Sequence, residues 1–174
     1  LEHADFAALA AVRQAGDDAV LDAIRSERQR QVGEQLTPPE IAEKLDVDKI
    51  LCFVRSEAFT RICAAEEVLR ELAFITSLPA SEVMAAQGRE RPEGEAADAG
   101  VLVQGIADLV LVFPDHLELL DYKTDRRKTR ADFLRAYHAQ LELYARAIDK
   151  RFAPRKVTYK GIYSLELGEL IKVK

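Results

Sequence analysis

Two aspartates and a lysine stand at spacings that can do chemistry. Asp108 closes the run Gly105-Ile106-Ala107-Asp108, and Asp121 and Lys123 lie in Asp121-Tyr122-Lys123-Thr124. A turn at Pro114-Asp115 folds the residues between them into an antiparallel hairpin whose paired residue numbers sum to 229. In that register Asp108 sits opposite Asp121, with Cβ atoms ~4.5–5.5 Å apart, a separation at which like charges destabilise a sheet. Asp121 and Lys123 are two apart and share a strand face. The repulsion has three remedies: a proton on one carboxylate, neutralisation by Lys123, or a divalent cation between the two oxygens. A cation makes chemical sense of the whole group, because hard oxygen ligands suit Mg²⁺ or Mn²⁺. Such an ion activates water and stabilises charge on a phosphate, while the lysine stabilises the transition state or orients the water. The bland alternative is a surface ion pair on an edge hairpin.

Further along, Gln140 and Tyr144 are one helical turn apart and share a helix face. There Gln140 can bond a metal-bound water or a phosphate, and Tyr144 can order a strand of DNA. Tyr137, Leu141, Tyr144 and Ile148 equally make a plain core stripe. Arg126, Arg127, Lys128 and Arg130 crowd the loop after Lys123, placed to track phosphates or simply to be solvated. The net charge of −5 conceals an asymmetry. Residues 1–119 carry 11 Lys/Arg against 23 Asp/Glu, and residues 120–174 carry 14 against 7. Only the last third attracts nucleic acid, and its basic residues lie beside the aspartate–lysine group.

The elements that must position these groups are readable from periodicity. Phe6, Leu9 and Val12, then Val20 and Ile24, then Ile50, Phe53 and Val54 recur at helical spacing over the first ~65 residues. Thr37 with Pro38 resembles a helix start, and Asp46 caps a further helix running to about Ala65. Strands are expected near 68–78, 101–113 and 117–124, with a Gly/Pro-bearing loop over 85–100. A helix over 131–152 follows, begun by a Thr129/Asp132 capping box. A hairpin around Gly168 ends the chain. This order predicts an α/β domain with a mixed sheet, residues 1–65 forming a helical part and 66–174 the core.

The 174 residues suit one domain, and 48% apolar with 32% charged residues is ordinary for a globular chain. No run of ~18 apolar residues and no basic-then-apolar leader is present, so neither a membrane span nor secretion is indicated and the cytoplasm is the expected location. Two cysteines, Cys52 and Cys63, cannot hold an iron–sulfur cluster by themselves, and both are expected in the core. The chain begins with Leu1 and reads as a fragment of something longer. No Gly-x-x-x-x-Gly-Lys stretch is present, so no use of ATP is expected within these residues.

Taken together, Gly105-Ile106-Ala107-Asp108, Asp121-Tyr122-Lys123-Thr124 and Gln140-Leu141-Glu142-Leu143-Tyr144 resemble the ordered motifs of the RecB-family nucleases of the PD-(D/E)xK superfamily. The closer likeness is to the C-terminal nuclease domain of AddA-type helicase–nuclease subunits. It extends to Leu69-Arg70-Glu71-Leu72-Ala73-Phe74 and Leu78-Pro79-Ala80-Ser81-Glu82-Val83. The resemblance implies a restriction-endonuclease-like core, a mixed central sheet flanked by helices, with an N-terminal helical segment. It implies Asp108, Asp121 and the backbone carbonyl of Tyr122 as ligands of Mg²⁺ or Mn²⁺, and Lys123 as the catalytic lysine. Gln140 and Tyr144 would line the site, with Arg126, Arg127 and Lys128 beside the DNA. It implies 3′-to-5′ hydrolysis of unwound single-stranded DNA in recombinational double-strand break repair, with an AddB-type partner subunit.

The family also uses a histidine from a Gly-x-x-x-His stretch ahead of the first strand. His3 looks like a later, non-catalytic histidine, and His116 and His138 match no motif. Glu71 occupies a recurrent strand position without an assigned role. Two other functions compete with a nuclease domain of a helicase subunit. One is a non-catalytic DNA- or subunit-binding module on the same fold; the other is a free-standing RecB-like nuclease.

Overall fold

The computed structural model describes residues 1–174. Five helices come first: α1 (Phe6–Val12), α2 (Asp17–Gly33), α3 (Pro39–Ala42), α4 (Val47–Arg55) and α5 (Glu57–Ala64). Then follow β1 (Glu67–Pro79), α6 (Ala80–Ala86), α7 (Glu95–Asp98), β2 (Gly100–Val112), β3 (Leu117–Lys123), α8 (Arg130–Arg151), β4 (Val157–Ser164) and β5 (Glu169–Val173). The strands form one mixed sheet in the order β1-β2-β3-β4-β5, antiparallel throughout except for the β3–β4 pair. That parallel pair is joined by α8, because parallel neighbours need a long crossover.

Two apolar layers sandwich the sheet. On one face Phe6, Leu9, Val20, Ile24, Phe53, Val54 and Phe59 of the first helices pack on Leu109, Leu111, Leu120 and Tyr163. On the other, Phe133, Leu141, Ala145 and Ile148 of α8 pack on Phe74, Val110, Leu119 and Ile162. β3 is buried on both faces, which explains its near-continuous apolar run Leu117-Glu118-Leu119-Leu120.

Local chemistry sets several boundaries. The Asp46 carboxylate accepts from the backbone N–H groups of Asp48 and Lys49 and starts α4. Thr129 and Asp132 form a reciprocal capping box at the start of α8. The helix expected from Asp46 to Ala65 is instead two, because Ser56 is extended and its hydroxyl caps α5 by accepting from Phe59 N–H. Thr37 does not cap α3; Pro38 occupies that position, and the Thr37 hydroxyl donates to Gln31 Oε1. Part of the expected loop is helical, with α6 reaching Ala86 and α7 a single turn. Cys52 and Cys63 are exposed rather than in the core. The inward faces of α4 and α5 are taken by Ile50, Phe53, Val54, Ala58, Phe59 and Ile62, which leaves both thiols on the outer surfaces.

Candidate active site

The β2–β3 hairpin has the register its turn dictates. Leu109 pairs with Leu120 and Val110 with Leu119, and the ladder stops there, just short of Asp108 and Asp121. Between β1 and β2 the pairing continues to Pro79–Gly100 but skips one position, Glu71 opposite Asp108. Both strands change face at that point. On β2, Ala107 lies on the α8 side, and so do Val110 and Val112, where strict alternation from Ala107 would put Leu109. On β1, Phe74 and Leu72 face α8, and then Leu69. Glu71 adopts φ 46°. Each strand therefore carries one extra residue at the same level, so the register is preserved while the two carboxylates leave the ladder. Irregularities of this kind re-aim side chains beside active sites.

Freed in this way, Asp108 turns to β3. Its Oδ2 accepts from Tyr122 N–H at 2.8 Å, a donor that the shortened ladder leaves without a backbone partner. The Tyr122 side chain points to the helical layer, edge-on to Phe53 at 5.5 Å, and burial holds its phenol well above the ordinary range. Asp121 and Lys123 point the other way, toward α8. Asp121 is 3% exposed, and Lys123 Nζ lies 2.5 Å from its Oδ2. That contact is a close ion pair. Burial pushes the Asp121 carboxyl up to about 6; Lys123 opposes this, and the charges of Asp108 and Asp125 reinforce it. The pocket thus disfavours a bare carboxylate and favours a proton or additional positive charge. Partial burial, then Asp108 and Glu2, also raise the Glu71 carboxyl.

α8 supplies the wall. The Tyr144 ring stands edge-on to Phe74 at 4.9 Å and lies over Gly105. A Cβ at Gly105 would come within 2.8 Å of Tyr144 Cζ and Oη and 2.9 Å of Phe74 Cζ. Gly105 and Tyr144 are therefore one packing unit: the glycine is needed because the ring lies on the strand. Gln140, one turn nearer the start of α8, is half-buried. In the basic loop Arg127 adopts φ 62°. Lys128 is tied down: it pairs with Asp125 Oδ1 at 2.8 Å and donates to Tyr137 Oη at 3.1 Å.

Two residues that the motifs did not single out, Tyr137 and Asp125, belong to the site. Tyr137 carries Lys123 Nζ 4.7 Å from its ring centroid and donates its hydroxyl to Asp125 Oδ2 at 2.7 Å. Its spacing, three before Gln140 and seven before Tyr144, puts it on the face of both, but a tyrosine in an apolar stripe reads as core. Two of the histidines lie elsewhere, and the charge of His3 reaches Glu71, opposite Asp108. His116 contacts Asp115 and Glu118 at the hairpin turn, His138 lies 3.2 Å from Lys174 O, and His3 pairs with Glu2. No group of three His, Cys, Asp or Glu side chains converges to hold a metal. Two carboxylates, one of them buried beyond its ordinary tolerance for charge, still fit a hydrated hard cation, since Mg²⁺ keeps several waters.

With this geometry in view, the family model of the PD-(D/E)XK nuclease superfamily matches residues 3–170. The chain belongs to that superfamily. Its mixed five-stranded sheet with flanking helices agrees with the assignment. Among its relatives, an ATP-dependent helicase/nuclease subunit of Pelotomaculum thermopropionicum is 36% identical over 155 residues, covering 85% of this chain and 11% of the relative. The protein of the same name from Geobacillus kaustophilus is 34% identical over 161 residues, 87% and 12% of the two chains. That of Carboxydothermus hydrogenoformans is 30% identical over 158 residues, 90% and 13%. The chain thus spans roughly an eighth of the length of the relatives it matches. No helix is long and apolar enough to cross a membrane.

Proposed function

We propose that this chain is the metal-dependent deoxyribonuclease unit of a helicase–nuclease subunit, hydrolysing phosphodiester bonds of unwound single-stranded DNA from the 3′ end. The observation that carries the reading is the meeting of Asp108, Asp121 and Lys123 where the β2–β3 ladder opens: Asp108 on Tyr122 N–H, Lys123 on Asp121. In this reading Asp108, Asp121 and the Tyr122 carbonyl hold Mg²⁺ or Mn²⁺. A bound divalent ion there supplies a water of lowered pKa and positive charge for the phosphate. Lys123 would place its ammonium against the charge that develops on the phosphate oxygens. Gln140 bonds a phosphate or a water from the α8 wall, and Tyr144 orders the strand beside Gly105. Arg126 and Arg127 neutralise flanking phosphates, and Lys128, already paired with Asp125, adds less. The relatives' names supply the setting. An ATP-dependent helicase unwinds the duplex, and a protein named as one subunit has a partner, which we take to be of the AddB type in recombinational double-strand break repair.

The test is cleavage of single-stranded DNA labelled at either end, with Mg²⁺, with Mn²⁺ and with chelator. Mononucleotide release from the 3′ end that stops with chelator supports the reading. DNA bound but never cut, with either metal, would leave the non-catalytic binding module as the better account.

A further inference from the structure

We infer that Tyr137 is a positioning residue for Lys123, its ring fixing the ammonium and its hydroxyl anchored by the Asp125–Lys128 pair; this rests on the nuclease reading above. A lysine ammonium sits on a flexible four-carbon stem, and a single carboxylate partner does not fix it. Lys123 has a second surface. Its side chain is 18% exposed, with Nζ 2.5 Å from Asp121 Oδ2 and 4.7 Å from the Tyr137 centroid. Carboxylate and ring together define where the charge lies.

The ring is itself held. Its hydroxyl donates to Asp125 Oδ2 at 2.7 Å and accepts from Lys128 Nζ at 3.1 Å, and Lys128 closes the triangle on Asp125 Oδ1 at 2.8 Å. Lys128 Nζ also lies 4.6 Å from the ring centroid. Two bare ammoniums at one ring would repel; Asp125 neutralises Lys128 as Asp121 neutralises Lys123, so both can share the ring. From the helix side Phe133 backs the ring at 6.2 Å. Asp125 and Lys128 therefore serve the site by clamping Tyr137. Placement matters because small misplacements of a catalytic group cost much of its effect.

The test uses the full-length protein with saturating Mg²⁺ and 3′-labelled single-stranded DNA, comparing Tyr137→Phe, Tyr137→Leu and Lys123→Ala. Tyr137→Phe keeps the ring but frees it from the Asp125–Lys128 pair, and should lower kcat by less than Tyr137→Leu does. Tyr137→Leu removes it and should lower kcat roughly 3- to 30-fold, the range of a cation–ring contact, with KM within about twofold. A readout independent of activity is the ε-carbon signal of ¹³C-labelled Lys123, identified by its absence in Lys123→Ala. It should be shifted by the ring in wild type and Tyr137→Phe and return to the ordinary position in Tyr137→Leu. An unchanged kcat in Tyr137→Leu overturns the proposal, as do equal losses in Leu and Phe variants accompanied by a lower Tm. An unmoved Lys123 signal in Tyr137→Leu also overturns it, whatever the rates. A wild-type protein that cuts nothing removes the nuclease reading and the catalytic half of the proposal, while the signal still reports the contact.

Discussion

Strand β3 carries two buried carboxylates, Glu118 and Asp121, and each is paired with a cation lying over a tyrosine. Glu118 accepts from Arg61 at 2.7 Å, and Arg61 lies 3.7 Å from the Tyr159 centroid. Asp121 is paired with Lys123, 4.7 Å from Tyr137. The parts are alike and the consequences are not. Arg61 is a rigid fork, aligned on Glu118 and also on Glu57, so its charge is fully committed. At Asp121 the cation is a lysine with a single carboxylate partner, Asp108 adds a second carboxylate, and burial pushes the pKa up to about 6. Aligned donors make the Glu118 end a strut. The Asp121 end keeps excess negative charge beside an ammonium held by one carboxylate and a ring, which is what a cation-binding, phosphate-cleaving site needs.

Breaking each end separately gives the largest contrast. Asp121→Asn and Lys123→Ala should each lower cleavage of single-stranded DNA at least about 100-fold, while Glu118→Gln leaves the rate of the folded protein within a few-fold. Rates per folded molecule, with the folded fraction from circular dichroism, decide it. Equal losses at both ends would mean that neither is special. Stability should show the reverse order. Arg61→Ala strands a buried carboxylate and should cost about 2–3 kcal/mol, below the full range for a buried pair because Arg61 is partly exposed. Asp121→Asn should cost much less, since it removes charge from a repulsive group. Urea midpoints of the two variants measure this.

A second pair of variants tests what the α8 wall contributes. Gly105→Ala forces a Cβ into Tyr144 and Phe74 and should cost roughly 1–3 kcal/mol by overpacking. Adding Tyr144→Leu should recover part of that loss, because the clash is with the ring; a double-mutant cycle with no coupling would refute the Gly105–Tyr144 unit. In the basic loop, neutralising Arg126 or Arg127 should lower the slope of log affinity against log salt by roughly 0.7 each. Lys128→Gln should lower it less, because that ammonium is already paired with Asp125 and Tyr137.

The strut and the site were not equally legible in the sequence. The 229 register followed from turn position alone, and the capping residues Asp46, Thr129 and Asp132 act through neighbours two or three residues away. The ordered motifs named Asp108, Asp121 and Lys123 for the same reason: their spacing along two strands is local. What stayed hidden depends on distant partners. The paired irregularity at Glu71 and Asp108 preserves the register on both sides, so it leaves no shift in the pattern to detect. Tyr137 reads as core until β3 is laid against α8, and Arg61 reads as a surface residue of a short helix until Glu118 arrives from 57 positions away. The exposed cysteines reflect helices too short for periodicity to fix their inward faces.

The smallest effect separates hydrogen bonding from burial as causes of carboxylate behaviour. Asp132, at the start of the helix that carries Tyr137, is moved in the opposite direction from Asp121. The Thr129 hydroxyl first, then the Thr129 backbone N–H and Arg135, hold its carboxyl down at about 2. A folded-state pKa below the unfolded one means that the unfolded chain binds the proton more readily. This group's contribution is therefore complete above about pH 4 and is lost as pH falls through about 2. Thr129→Ala removes both the hydroxyl that bonds Asp132 and the oxygen that accepts from Asp132 N–H. At neutral pH it should cost ~1 kcal/mol, the usual worth of a helix cap. Because the carboxyl then returns toward its ordinary value, the difference between wild type and variant should shrink as the pH is lowered from 4 toward 2. Urea midpoints at several pH values across that window measure it. A difference that stayed constant with pH would mean that Thr129 caps α8 through its own oxygen alone, and that Asp132 takes no part in holding the helix start that presents Tyr137 to Lys123.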